Sequence, residues 1–165
     1  MFDKSWEKKI YKKNKQMNDY PYDWVVSTTN KFLKKRKKLN ALEIGSGTGN
    51  NLNFLKAFGF NKIVGIEGSK SACDYARKKF KKDKSIKILN LDFNKYSYDE
   101  KFNLILDRGS LTHNKINDIK KTLNKINYSL KNNGFFFSVM FTNEHLYSTK
   151  RKDSYSFKYM TEDKK

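Results

Sequence analysis

The stretch Ala41-Leu42-Glu43-Ile44-Gly45-Ser46-Gly47-Thr48-Gly49-Asn50-Asn51 restricts the fold of this chain more than any other. Leu39 to Ile44 forms an apolar run suited to a buried strand, and three glycines follow at every second position. Asn51, Leu52, Phe54, Leu55 and Phe58 then begin a helical pattern, which Gly59 closes. Strand, glycine-rich turn and helix together build a nucleotide-type cofactor site. The glycines are needed because the backbone must turn with positive φ and approach the ligand without a Cβ in the way.

The spacing narrows the cofactor. Dinucleotide-binding turns follow G-x-G-x-x-G, with the phosphates on the helix N-terminus. Here the pattern is G-x-G-x-G (Gly45, Gly47, Gly49), and position 50 is Asn. Glu43, two residues before the first glycine, would repel a pyrophosphate and attract an ammonium group. The pattern points away from a nicotinamide dinucleotide and towards a cationic, phosphate-free nucleoside.

Glu43-Ile44-Gly45-Ser46-Gly47-Thr48-Gly49 resembles the first motif of the class I S-adenosylmethionine-dependent methyltransferases. Four later stretches fall where that family would place them. The resemblance runs from about Leu39 to Phe141, together with a leader before it. It implies an α/β fold: a three-layer, Rossmann-like parallel sheet in the order 3-2-1-4-5, with S-adenosyl-L-methionine as cofactor at the switch between strands 1 and 4.

The rest of the chain alternates strands and helices. Trp6 and Ile10 have the spacing of one face of a short helix. Trp24 to Lys35 is expected to be a helix with Trp24, Val25, Thr28, Phe32 and Leu33 inward, ending in the basic run 34–38. Lys62 to Glu67 is a second strand, and Ser69 can cap the next helix. Ala72, Cys73, Ala76 and Phe80 supply the buried stripe of that helix. Ile86 to Asp92 and Phe102 to Asp107 are the third and fourth strands. Ile116, Ile119, Leu123, Ile126 and Leu130 share one face of a long helix, which Asn132-Asn133-Gly134 is expected to stop as a C-cap. Phe135 to Phe141 is a fifth strand. Such alternation gives βαβ units, a parallel sheet and right-handed crossovers. The expected organisation is a helical leader covering the cofactor (1–38), a cofactor-binding core (39–141) and a short polar tail (142–165).

The family resemblance assigns the site residues. The glycine turn contributes Gly45, Ser46, Gly47, Gly49 and Asn50, with Glu43 behind it. Glu67, at the end of the second strand, would accept the ribose hydroxyls, with Gly68 and Ser69 beside it. Charge-assisted bonds of that kind are worth about 1.5–3 kcal/mol. Asp92 would hold the adenine amino group while Phe93 packs the ring. Asp107 and Arg108, at the end of the fourth strand, lie between the methionine end of the cofactor and the acceptor. Asp107 and His113 are the candidate catalytic groups for proton removal; Asp107 could equally hold a backbone amide, and Arg108 could pair with a substrate anion or with Asp107. Trp6-Glu7…Tyr11…Tyr20-Pro21 resembles the leader of some small bacterial methyltransferases, in which Tyr20 would contact the cofactor. An aromatic face near a sulfonium gains about 0.5–2 kcal/mol of cation–π attraction.

Composition limits the alternatives. The formal net charge is +19, which invites a nucleic-acid partner, yet only Arg36, Arg77, Arg108 and Arg151 of the 36 basic residues are arginine. A solvated lysine surface accounts for most of that charge. The Asn/Asp-Pro-Pro-aromatic motif of amino-directed nucleic-acid methyltransferases is absent, since Pro21 is the one proline, and so is a Pro-Cys nucleophile. Cys73 is the one cysteine, so there is no disulfide framework and no Cys/His metal cluster. No apolar run approaches the roughly 20 residues of a membrane span, and Met1-Phe2-Asp3-Lys4 opens no signal core. A cytoplasmic location is the expectation.

The expected activity is in-line transfer of a methyl group from S-adenosylmethionine to a small-molecule acceptor, with proximity and orientation supplying most of the rate. RNA or DNA methylation, and a non-catalytic or truncated binding module of the same fold, are the alternatives. The family sheet carries two more strands as an antiparallel hairpin against strand 5, and residues 142–165 are expected to be too short and polar to supply them. Strand 5 would then be an open edge, suited to a homodimer.

Overall fold

The structure is a computed structural model, which describes residues 2–33 and 38–141. Five strands form one parallel sheet in the order β3-β2-β1-β4-β5. The strands are β1 (Leu39–Ile44), β2 (Phe60–Glu67), β3 (Ile86–Asn90), β4 (Phe102–Arg108) and β5 (Leu130–Val139). Helix α1 (Asp23–Phe32) precedes the sheet; α2 (Asn50–Phe58), α3 (Lys70–Lys79) and α4 (Ile116–Ser129) connect its strands. β1 lies at the centre, with Ala41 opposite both Ile63 of β2 and Leu104 of β4.

Strand side chains alternate between two buried layers, as a sheet covered on both faces requires. Ala41, Ile63 and Leu104 face one layer with Leu52, Leu55 and Phe58 of α2 and Cys73 and Ala76 of α3. Leu42, Val64 and Ile105 face the other, with Ile126 of α4, Leu111 and Tyr98. Truncating one of the Leu, Ile or Phe side chains among them to Ala would cost about 2–5 kcal/mol. Local signals set the ends of the connecting helices. Gly59 ends α2 in the left-handed conformation, at φ 118°, and Ser69 Oγ accepts the Ala72 N–H to start α3.

Four local expectations are corrected. Asn132-Asn133-Gly134 does not cap α4. The helix ends at Ser129 because Leu130 is already extended (φ −74°, ψ 139°) and pairs with Phe102 of β4. The ladder then shifts register, so that Leu104 faces Phe135, and Asn133 takes a positive φ of 62° inside the resulting bulge. Gly134 is needed there because a Cβ would stand 3.0 Å from the Phe102 carbonyl oxygen and 2.9 Å from that of Lys131.

β3 stops at Asn90 rather than Asp92, because the Asp92 carboxylate accepts the Asn94 N–H and starts a 3₁₀ turn over Phe93–Lys95. In α1, Val25 and Thr29 are buried, but Phe32 is 49% exposed. Its ring lies 5.9 Å from Phe135 and 6.0 Å from Phe137, over the outermost strand rather than the sheet centre. The expected extension of α1 to Lys35, the basic run from Lys34 to Lys37 and the tail 142–165 lie outside the described residues. Finally, Trp6 and Ile10 do share a short helical piece, but it is a wide π-type turn (Trp6–Ile10) followed by a 3₁₀ turn (Tyr11–Lys13). No helix among the described residues is long and apolar enough to cross a membrane.

Candidate functional site

In an open parallel sheet, the loops after adjacent central strands diverge to opposite faces and leave a crevice at the carboxyl edge. Here the strand order reverses between β1 and β4. β1 runs into the glycine turn, where Gly45, Gly47 and Gly49 all have positive φ (67°, 53° and 79°). The Ser46 N–H donates to the Ile66 carbonyl, tying the turn to β2.

Glu67 fixes the same turn from the other side. One carboxylate oxygen accepts the Gly47 N–H at 2.9 Å and the other accepts the Ser69 N–H at 2.7 Å. Burial pushes its pKa up against the pull of those amides. The acid expected to bind ribose therefore also locks the glycine turn to the start of α3. Each carboxylate oxygen keeps further acceptor capacity.

Glu43 is buried beneath the turn. Its Oε1 accepts a hydrogen bond from Asn51 Nδ2 at 2.7 Å, while its Oε2 is buried with no hydrogen-bond partner. Burial, with the negative charges of Asp107 and Glu67 adding to it, pushes the carboxyl up to about 8 against the pull of Asn51. An orphaned, buried carboxylate oxygen is expensive unless a ligand donor completes it, and an ammonium group is the donor that matches it. The residues present thus fit the methionine ammonium of the expected cofactor.

At the end of β3, Asp92 Oδ1 accepts from the Asn94 N–H (3.0 Å) and side-chain amide (2.9 Å), and Oδ2 from the Phe2 N–H (2.7 Å). Burial alone would raise this carboxyl, but the bonds from Asn94 and Phe2 outweigh it and hold it below the usual range. Phe93 packs partly buried on the layer that holds Tyr98 and Leu111.

At the end of β4, Asp107 is fully buried. Oδ1 accepts the Ser110 N–H (2.8 Å) and the Leu111 N–H (3.2 Å), and Oδ2 accepts the Ser138 hydroxyl (2.8 Å). Burial pushes its carboxyl up to about 6, with those bonds and the Arg108 charge pulling the other way. The Arg108 guanidinium lies over the Tyr22 ring, 4.2 Å from its centroid, and its Nε is buried without a hydrogen-bond partner. His113 sits in a 3₁₀ turn (Leu111–His113), with its ring 5.2 Å from Trp6 and 6.4 Å from Phe141.

The leader crosses this rim. Thr48 Oγ1 donates to the Asn18 carbonyl, Asn50 Nδ2 to the Tyr20 carbonyl, and the Tyr22 N–H to Asn51 Oδ1. The Tyr20 side chain itself points outward and is 86% exposed. The tyrosine over the turn is Tyr11, whose hydroxyl would lie 2.8 Å from a Cβ at Gly47. Its phenol is pushed up by burial and by the nearby Glu67.

The remaining expected residues, from Glu43 through Arg108, are all at the carboxyl ends of the strands. Sequence reasoning did not assign roles to Asn51, Phe2 or Ser110, and placed Tyr11 only within the leader motif. Asn51 carried a signal: a second consecutive asparagine opening a helix is a poor helix former, so another task keeps it there. Ser110 carried none, although its Oγ lies 1.7 Å from where a Cβ at Gly45 would stand. Among the described residues no group of His, Cys, Asp and Glu side chains could hold a metal ion.

A family model described as a methyltransferase domain matches residues 41–134. The chain belongs to this family, the Rossmann-like methyltransferases that use S-adenosylmethionine. Solved structures share the fold at low identity. An S-adenosylmethionine-dependent methyltransferase from Clostridium acetobutylicum is 21% identical with a TM-score of 0.66, the match covering 77% of this chain and 52% of that one. The N-methyltransferase NodS from Bradyrhizobium japonicum, solved with S-adenosylhomocysteine, is 19% identical at 0.64, with 74% and 64% covered. A Haemonchus contortus phosphoethanolamine N-methyltransferase, solved with phosphomonomethylethanolamine and S-adenosylhomocysteine, is 20% identical at 0.65, with 76% and 30% covered. The chain therefore spans about half the length of the Clostridium protein or less than two thirds of NodS. No curated protein sequence matches it.

Proposed function

We propose that this protein binds S-adenosylmethionine at the carboxyl edge of the sheet and methylates a small-molecule acceptor. The observation that carries the reading is Glu43, a buried acid with one unsatisfied oxygen beside a G-x-G-x-G turn. The cofactor supplies a methyl group already activated on sulfonium. The protein's part is to bind and orient. Glu43 and Asn51 take the methionine ammonium, Glu67 the ribose hydroxyls, and Asp92 and Phe93 the adenine. The backbone of Gly45, Ser46, Gly47, Gly49 and Asn50 shapes the floor, with Gly68 and Ser69 beside the ribose.

Asp107 holds the loop after β4 through its three accepted hydrogen bonds. We assign it a positioning role beside Arg108, and we assign proton removal from the acceptor to His113, which ends that same loop. A small acceptor is favoured because the compound bound with S-adenosylhomocysteine in the Haemonchus structure, phosphomonomethylethanolamine, is itself small. A cytoplasmic location goes with this reading.

Calorimetric titration with S-adenosylmethionine and S-adenosylhomocysteine, with NAD as comparison, tests it. The expected result is micromolar affinity for the first two and none for NAD. Glu67→Ala and Gly47→Val should each weaken binding by tenfold or more, the first by freeing the turn and the second by forcing a β-branched residue to positive φ, which costs about 1–2 kcal/mol, and onto the Tyr11 hydroxyl, 2.8 Å from a Cβ there. A folded protein that binds neither nucleoside would overturn the assignment.

A further inference from the structure

The leader does more than lie near the site. The Phe2 N–H donates to Asp92 Oδ2 at 2.7 Å, the carboxylate assigned to the adenine amino group. The Phe2 ring presses on Gly68, where a Cβ would stand 2.2 Å from Phe2 Cδ2. Gly68 directly follows the ribose acid Glu67. Two binding groups for one nucleoside are thus taken by one leader residue.

Neighbouring contacts hold that residue in place. Glu7 accepts from Ser69 Oγ (2.5 Å), Ser71 Oγ (2.8 Å) and the Ser71 N–H (3.2 Å), at the positive end of α3. Trp6 packs edge-on against His113, and Tyr11 covers Gly47. Residues 2–11 therefore run from the adenine acid, past the ribose acid, to the glycine turn.

We propose that Phe2 is an intramolecular competitor for the nucleoside half of the cofactor site, so that the seated leader and the bound cofactor exclude one another there. A nucleoside with its amino group on Asp92 and its ribose on Glu67 must pass through the volume of the Phe2 ring. Cofactor binding then draws on the fraction of molecules whose leader has lifted, and apparent affinity falls by that fraction. This is the opposite of a cover that closes on its ligand. The two differ in sign: a competitor is released by ligand, whereas a cover is ordered by it. The inference rests on the cofactor reading above.

The experiment pairs affinity with leader accessibility. S-adenosylhomocysteine is titrated into wild type, Phe2→Ala and Glu7→Gln, and trypsin cleavage at the exposed Lys4, Lys8 and Lys9 is timed with and without the ligand. Phe2→Ala should bind about tenfold tighter and Glu7→Gln severalfold tighter. Without ligand, both variants should be cut faster than wild type. Saturating ligand should speed cleavage of wild type and change the variants little. Unchanged or weaker binding by Phe2→Ala, or protection of the leader by ligand, would overturn the competitor and make the leader a cover. Absence of binding by wild type and Phe2→Ala alike would defeat the cofactor reading and this inference with it.

Discussion

The carboxyl ends of β1 and β4 lie side by side, with Ile44 paired to Asp107, yet their two acids are finished in opposite ways. Asp107 receives three hydrogen bonds that engage both oxygens. Glu43 receives one from Asn51 and leaves Oε2 bare. Burial is the first cause of the upward shift in both, but Asp107 is held at about 6 while Glu43 reaches about 8. The difference is one of preparation. β4 closes on itself and builds a loop. β1 stops one donor short at Glu43 Oε2, and the donor proposed for it is the cofactor's ammonium group.

The sharpest way to break this contrast is Asp107→Ala. It would leave the Ser110 and Leu111 amides and the Ser138 hydroxyl without their acceptor, and should lower the denaturant-unfolding free energy by about 4 kcal/mol. A loss below about 1 kcal/mol would mean that Asp107 is not the structural member of the pair.

The next effect belongs to Glu43 and depends on pH. Its folded carboxyl sits at about 8, against an ordinary value of 4.5. The folded state therefore holds a proton that the unfolded state releases. The favourable contribution is full below the ordinary value and is lost as pH rises towards 8. Glu43→Gln removes that loss. It should lie close to wild type near pH 5 and exceed it by about 3–4 kcal/mol at pH 8, as read from thermal melts across pH. Parallel curves for the two proteins would place the bare oxygen in contact with water instead.

Ligand binding sharpens the same point. An ammonium group against Glu43 favours the carboxylate, so S-adenosylhomocysteine should release up to about one proton per site near pH 7. Titration in buffers of different ionisation enthalpy measures this, and Glu43→Gln should abolish it.

The smallest expected effect is Ser138→Ala. One donor to Asp107 disappears and two remain, so stability should fall by about 1 kcal/mol with ligand affinity unchanged. A fall in affinity as large as that in stability would show that the two strand ends are coupled rather than distinct.

The sequence alone determined the parts that depend on local chemistry. Hydrophobic period marked the strands and the buried stripe of α3, because side-chain direction repeats with backbone geometry. Gly59 and Ser69 marked helix ends, because caps act within one turn. The glycine spacing marked the positive-φ turn after β1, and the strand order came with the family resemblance that these residues carried.

What tertiary structure decided was pairing between segments distant along the chain. α4 stopped early because Leu130 pairs with Phe102, and a β ladder outweighs a local cap signal. Asp107 gained its third hydrogen bond, on the second oxygen, because Ser138, 31 residues later, reaches it. Tyr11 rather than Tyr20 came over the glycine turn, and Phe2 met Asp92 from 90 residues away. Such contacts are set by how packed elements face one another in space. Local propensity has no term for that, since the same leader sequence could cross the rim in another register and satisfy its own turns equally well.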